Sequence, residues 1–163
     1  MSRKALLLSF LLVGALHSEE EVRSRCDQFN IGVGVFNIVR HHRPWQYQVE
    51  YRWDVKYHLR PLVSLMATDK GSLYFCAGLG YDIFMGKYLV LTPSFAPGLY
   101  VRGSGKSLHF PLEFRSSMDL AYILPNKGRL GAQFYHISNA SLGHKNPGAE
   151  SLIFYYAVPI PRK

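Results

Sequence analysis

Long hydrophobic runs are scarce in this sequence of 163 residues. The main run, Ala5 to Leu16, is shorter than the roughly 20 apolar residues that a membrane-spanning helix needs. It follows Arg3 and Lys4 and precedes Ser18, a small residue at a plausible cleavage point, so residues 1–18 are predicted to be a secretory signal peptide. A retained anchor is the alternative for this segment. Residues 19–163 then form the mature domain.

Cysteines and acidic residues are also few. Cys26 and Cys76 are the 2 cysteines; they could pair in an oxidising compartment, and two free thiols are the alternative. Asp and Glu number 11 against 19 Lys and Arg, which gives a net charge of +8. A basic chain can bind nucleic acid, anionic lipid or acidic glycan, but a secreted chain is not expected to bind nucleic acid.

Aromatic residues, in contrast, are plentiful at 14% of the chain. Such a bias is typical of β-rich proteins with aromatic girdles. Turn signals divide the mature chain at nearly regular intervals, at residues 42–44, 59–61, 69–71, 85–87, 103–106, 125–128 and 143–148. Short segments between regular turns predict a β-sandwich or a β-barrel.

The segment Trp45 to Arg60 favours a membrane barrel. Apolar or aromatic residues occupy every second position from Trp45 to Leu59, and polar residues lie between them. One face of such a strand is apolar throughout, and the run exceeds the roughly 5–6 residues of an ordinary strand. The segments 73–83 and 108–124 alternate in the same way. Strands in lipid must close on themselves, so we predict an all-β, eight-stranded antiparallel transmembrane β-barrel. A soluble lipocalin-like barrel or sandwich is the alternative.

Basic residues concentrate in the loops that such a barrel would present outside the cell. If both termini are periplasmic, these loops lie near His42, Lys70 and Gly105 and at 143–148. Their charge would suit the phosphates of lipopolysaccharide, although ordinary solvated loops also carry such residues. They contain Arg40, His41, His42, Arg43, Lys70, Arg102, Lys106, His144 and Lys145.

Reactive side chains are predicted on the lipid face near the end of the chain. His136 and Ser138 share the face of Phe134, and Glu150 shares that of Phe154 on the next strand. An ionisable residue facing lipid is costly and suggests a function. Serine as nucleophile, histidine as base and a carboxylate that orients the imidazole are the set needed for acyl transfer. An interfacial histidine beside an incidental serine is the alternative interpretation.

The segments 134–141 (FYHISNAS) and 146–151 (NPGAES) resemble the lipid A 3-O-deacylase (PagL) family, and 111–115 (PLEFR) is similar to that family's preceding strand. The resemblance implies an outer-membrane barrel that removes the 3-position acyl chain from lipid A without a cofactor or a metal. It implies His136 as base, Ser138 as nucleophile, Glu150 as orienting acid and Asn139 in support of the oxyanion hole. Lys145 and Asn146 are candidate substrate contacts, and a homodimer is possible.

The end of the chain departs from the usual bacterial barrel because it lacks a terminal aromatic residue. Pro159 and Pro161 cannot donate ladder hydrogen bonds, so the last strand is expected to stop near Val158. The alternative function is a non-enzymatic structural or partner-binding barrel.

Overall fold

The computed structural model describes residues 26–40 and 43–162. The predicted signal peptide and the loop residues His41 and His42 lie outside the described residues, and the signal peptide stays a prediction. No helix in these ranges is both long and apolar enough to cross a membrane. Cys26 and Cys76 are buried as free thiols, so they do not form the disulfide considered from the sequence.

Antiparallel strands make up nearly all of the described chain. They are β1 (Cys26–Phe36), β2 (Trp45–Arg52), β3 (Leu59–Thr68), β4 (Leu73–Tyr81), β5 (Ile83–Met85), β6 (Leu89–Val101), β7 (Leu112–Ile123), β8 (Arg129–Ser138) and β9 (Ala149–Pro161). Strands that are consecutive in the chain pair with each other, except β4 and β5; β9 returns to pair with β1, and β4 pairs with β6. β5 continues β4 past Asp82 in the same register against β6. The predicted closed 8-stranded antiparallel barrel is therefore confirmed.

The two faces of the barrel differ as the alternation predicts. On β2, Trp45 is 58% exposed and Tyr47 55%, whereas Gln46, Gln48 and Glu50 are buried. The exterior is thus apolar and the interior polar, the reverse of a water-soluble barrel. This distribution rules out the lipocalin-like alternative.

Ion pairs fill the interior. Arg115 Nη2 lies 2.6 Å from Glu50 Oε2, and Arg52 bonds both Glu50 and Asp119. Closer to the periplasmic end, Asp82 Oδ2 accepts from Arg60 Nε at 2.8 Å and from Arg129 Nη2 at 2.6 Å. Buried charges are tolerated when they are paired in this way.

Replacing Arg115 with methionine is expected to destabilise the barrel by about 3–5 kcal/mol, because Glu50 would lose one of its two cationic partners in a buried site. Urea titration measures this loss. The folded fraction is read from gel electrophoresis, in which the folded barrel migrates faster than the unfolded chain. Lys70→Met, at an exposed loop position, is the control. Equal midpoints for the two variants would contradict the expected loss.

The predicted single strand from Trp45 to Arg60 is wrong. β2 ends at Arg52, and the chain reverses where Tyr57 and His58 adopt φ of 62° and 60°. The predicted break at residues 59–61 lies inside β3. The alternation of apolar and polar residues continues through the turn because odd-numbered residues face outward on both β2 and β3. A period of two therefore does not show where the chain reverses.

The predicted alternating strand 108–124, whose apolar face would include Leu108, is also wrong at its start. β7 begins only at Leu112, and residues 102–111 form the third outer loop, here called L3. Leu108 is 1% exposed and packs among Phe36, Tyr100 and Tyr135. L3 therefore covers the outer mouth of the barrel. Burial of the Leu108 side chain decides the conformation of this loop, and the local alternation of apolar and polar residues does not.

β9 continues to Pro161 rather than stopping near Val158. Its pairing with β8 ends at Ala157, whereas its pairing with β1 extends to Pro161. Because β8 does not extend past the partner of Ala157, the edge of β9 that faces β8 is unpaired after that residue. A proline whose nitrogen lies on this edge loses no ladder hydrogen bond.

Candidate active site

His136 and Glu150 meet on the exterior surface of the barrel, near the end of the barrel that carries the outer loops. They are direct partners across β8 and β9, and His136 Nδ1 lies 3.1 Å from Glu150 Oε1. The side chains are 44% and 29% exposed. Both share the outward face of exposed aromatics, Phe134 on β8 and Phe154 on β9. An imidazole held by a carboxylate in this way has its tautomer and orientation fixed.

Ser138 is the last residue of β8 and lies on the same face as His136, partly exposed. Within residues 26–40 and 43–162, no hydrogen bond joins the Ser138 hydroxyl to the imidazole. Next neighbours on one strand face are about 6.5–7 Å apart along the backbone. Catalytic hydrogen bonds of this kind often form only when substrate is bound. The structure thus brings two of the three predicted groups into contact and leaves the third beside them.

The His136 imidazole packs against Gly148. A Cβ placed on Gly148 would lie 2.6 Å from His136 Cε1 and 3.1 Å from Nε2, so the ring packs against the backbone there. Gly148 precedes Ala149, whose strand partner is Ile137. The Nε2 edge of the ring therefore faces the outer end of the strands, where Ser138 lies.

Asn139 is buried and organises the loop of residues 139–148, here called L4. Its amide Nδ2 donates to Leu108 O at 3.0 Å and to Lys145 O at 2.8 Å, and its backbone N–H donates to Asn146 Oδ1 at 3.1 Å. Its Oδ1 accepts from Ser141 N at 3.0 Å. Asn139 thus supports the segment that follows Ser138. Since all of its N–H groups are engaged here, direct donation to an oxyanion stays a prediction.

Lys145 and Asn146 are exposed on L4 and both contact Asn139. Asn146 uses its amide oxygen to hold Asn139, so it shapes the loop, and its contact with substrate stays a prediction, as does that of Lys145. No group of 3 or more His, Cys, Asp or Glu side chains in the described ranges is arranged to hold a metal ion.

Lys106 lies nearer the reactive groups than the sequence indicated. Its Nζ donates to Asn37 Oδ1 at 2.7 Å, and the residue after Asn37, Ile38, donates its N–H to Glu150 O at 3.0 Å. Burial lowers the pKa of the Lys106 ammonium. The sequence marked Lys106 only as one basic loop residue, because its approach depends on L3 folding across the mouth.

The sequence model of one protein family, described as lipid A 3-O-deacylase (PagL), matches residues 42–159. The matched range contains His136, Ser138 and Glu150 and covers most of the chain. A comparison with curated protein sequences finds no match.

Two solved structures share the barrel. The crystal structure of the outer membrane enzyme PagL is 20% identical in sequence, covers 82% of this chain and 99% of its own, and gives a TM-score of 0.65. A structure from the de novo design of transmembrane β-barrels is 10% identical, covers 84% of this chain and 97% of its own, and gives a TM-score of 0.60. At these identities the likeness shows the fold alone.

Proposed function

Because the chain belongs to the lipid A 3-O-deacylase (PagL) family, we propose that this outer-membrane barrel is a serine esterase that hydrolyses the 3-position acyl ester of lipid A. Ser138 is the nucleophile, His136 the general base and Glu150 the orienting acid. One observation supports this above all: the imidazole and the carboxylate are 3.1 Å apart on the outward face of the barrel, with Ser138 next along that face.

Formation of the acyl-enzyme follows from this arrangement. Ser138 Oγ bonds to the ester carbonyl carbon while its proton passes to His136 Nε2, and Glu150 stabilises the imidazolium through Nδ1–H. The tetrahedral intermediate collapses, the bond to the sugar oxygen breaks, and His136 returns the proton to that oxygen. Water then attacks the acyl-enzyme with His136 as base, which releases the fatty acid and restores Ser138.

The position of these groups fits a substrate that arrives sideways from the outer leaflet. They lie near the outer ends of β8 and β9, where an apolar exterior meets the loops, so the acyl chain can remain in lipid while the ester reaches headgroup water. Exposed cations on the outer loops, such as Arg40, Arg43 and Lys145, complement the phosphates of lipid A. A homodimer stays a prediction, which chemical crosslinking in membranes would test.

The function is tested by incubating the purified barrel in detergent with lipopolysaccharide and recording mass spectra of the lipid A and of the released fatty acid. We expect loss of one acyl chain, with fragmentation placing the loss at the 3-position. Loss from another position would correct the substrate assignment. Intact lipid A after prolonged incubation with a folded barrel would refute the esterase and favour the non-enzymatic alternative.

Gly148→Ala is expected to lower kcat roughly 100-fold, because the new methyl group would displace the imidazole from Ser138 and a misplacement of about 1 Å can cost that factor. Deacylation rates on lipopolysaccharide measure the effect. Gly71→Ala is the matched control, since Gly71 also has a positive φ, 74°, but has open space around its Cα. Similar rates for both variants would show that the ring does not depend on Gly148.

A further inference from the structure

One carboxyl group differs from the others inside the barrel. Glu113 on β7 is fully buried, and neither of its carboxyl oxygens has a hydrogen-bond partner within the described residues. The remaining buried acids of residues 26–40 and 43–162 each form an ion pair with an arginine; they are Asp27, Glu50, Asp82 and Asp119. A buried carboxyl group without such a partner is far costlier when it is ionised than when it is neutral. Burial therefore favours the neutral acid at Glu113.

The charged side chains around Glu113 are engaged elsewhere. Arg115, two residues further along the same inward face, bonds Glu50 deeper in the barrel, and Lys106 in L3 bonds Asn37. None of the other titratable groups that the structure describes at the outer end of the barrel is a buried cation; they are the buried Tyr74, Cys76, Tyr100 and Tyr135 and the exposed His109, His144 and Lys145. An ionised Glu113 would therefore need water in place of a protein partner.

L3 separates Glu113 from outer water. Leu108 of L3 is buried in the apolar cluster at the outer mouth, and the Tyr100 hydroxyl donates to Lys106 O at 2.8 Å. The Tyr74 hydroxyl, in the same cluster, donates to Glu113 O at 3.1 Å, so Glu113 lies next to these side chains. Because L3 covers the mouth, lifting it is the direct route by which water reaches the carboxyl group.

The same loop also restrains the segment that follows Ser138. Phe114 pairs with Ser138 across β7 and β8, so Glu113 and Asn139 come side by side at the next position. Asn139 Nδ2 donates to Leu108 O at 3.0 Å. Lifting L3 would break this hydrogen bond and loosen the residue that organises L4. The protonation of Glu113 is thus coupled through L3 to the backbone beside the nucleophile.

We propose that Glu113 is a proton-dependent positioning residue: as the neutral acid it allows L3 to close over the mouth, and loss of its proton opens L3 and loosens Asn139. The proton passes to water, and the carboxyl O–H is the only covalent bond that breaks. Because the open state has released a proton, opening is favoured as the pH rises. The effect on catalysis rests on the proposed esterase function, whereas the opening of L3 does not.

The two buried cysteines report on the two ends of the barrel. Cys76 belongs to the cluster that Leu108 closes, whereas Cys26 begins β1 at the periplasmic end. The whole chain, folded in detergent, is treated with N-ethylmaleimide over a pH series, and mass spectrometry of its peptides gives both labelling rates. We expect the ratio of Cys76 to Cys26 labelling to rise with pH in the wild type, by up to about tenfold per pH unit for one released proton.

Glu113→Gln keeps the shape of the side chain and stays neutral, so it should abolish this rise. Its comparison with the wild type also removes the ordinary effect of pH on thiol reactivity. Asp69→Asn removes a carboxylate from an exposed position in another outer loop and should keep the wild-type rise.

Deacylation of lipopolysaccharide gives a second readout. We expect kcat of the wild type and of Asp69→Asn to fall at alkaline pH, by up to about tenfold per pH unit once the open form predominates. Glu113→Gln should retain its activity there, and all three chains should have similar rates at mildly acidic pH.

A ratio of Cys76 to Cys26 labelling that stays constant with pH in the wild type would overturn the proposal, and this result does not depend on the folding of any variant. An equal rise in the wild type and in Glu113→Gln would also overturn it. Matching pH profiles of deacylation in these two chains would refute the link from Glu113 to the active site. If the wild type leaves lipid A intact at every pH, the esterase function fails instead, and the labelling alone decides whether Glu113 controls L3.

Discussion

Ser138→Ala is expected to lower kcat for acyl-chain release on the order of 10⁶-fold, since removing the nucleophile of a serine hydrolase disables all chemistry that depends on it. Substrate binding should persist, because the methyl group leaves the exterior of β8 and the loops unchanged. Fatty acid released from lipopolysaccharide, quantified by mass spectrometry over long incubations, measures the loss.

Ser141→Ala is the matched control for this variant. Ser141 is an exposed serine on L4, and its hydrogen bond to Asn139 Oδ1 uses the backbone N–H that alanine keeps. A fluorophosphonate probe adds a second readout, because it should label the wild type and Ser141→Ala at Ser138 and leave Ser138→Ala unlabelled. Near-normal deacylation by Ser138→Ala would place the nucleophile elsewhere and sink the proposed triad.

Glu150→Gln is expected to lower kcat by about 10⁴-fold with folding intact, in line with loss of the orienting carboxylate from other triads. The carboxylate, 3.1 Å from Nδ1, accepts its proton and stabilises the imidazolium. A glutamine amide is neutral and can donate to Nδ1 instead, which would place the proton on Nε2, where the base must be free. Single-turnover rates on lipopolysaccharide separate this loss from changes in product release.

Asp69→Asn supplies the control for charge, because it removes one carboxylate from an exposed position in another outer loop. It should leave the rate unchanged. If Glu150→Gln and Asp69→Asn lowered kcat to the same small extent, Glu150 would act only through the general charge of the outer surface, and the His136–Glu150 contact would have no catalytic meaning.

The fold class and the side of the barrel on which the reactive groups lie can both be predicted from the amino-acid sequence. Alternation with a period of two is a local property, since successive residues of a strand point to opposite faces. The parity that His136 and Ser138 share with Phe134 is therefore enough to place both of them on the outward face. The pairing of His136 with Glu150 was also within reach, because one loop joins their adjacent strands.

Tertiary structure alone decided what stands beside those groups. Register between strands depends on the hydrophobic pattern and also on where each turn closes, and the alternation does not encode the position of the turns. That is why the alternation did not reveal the reversal at Tyr57 or the burial of Leu108. L3 folds over the mouth because Leu108 gains burial there, and this long-range contact brings Lys106 to Asn37 and Asn139 to Leu108 O.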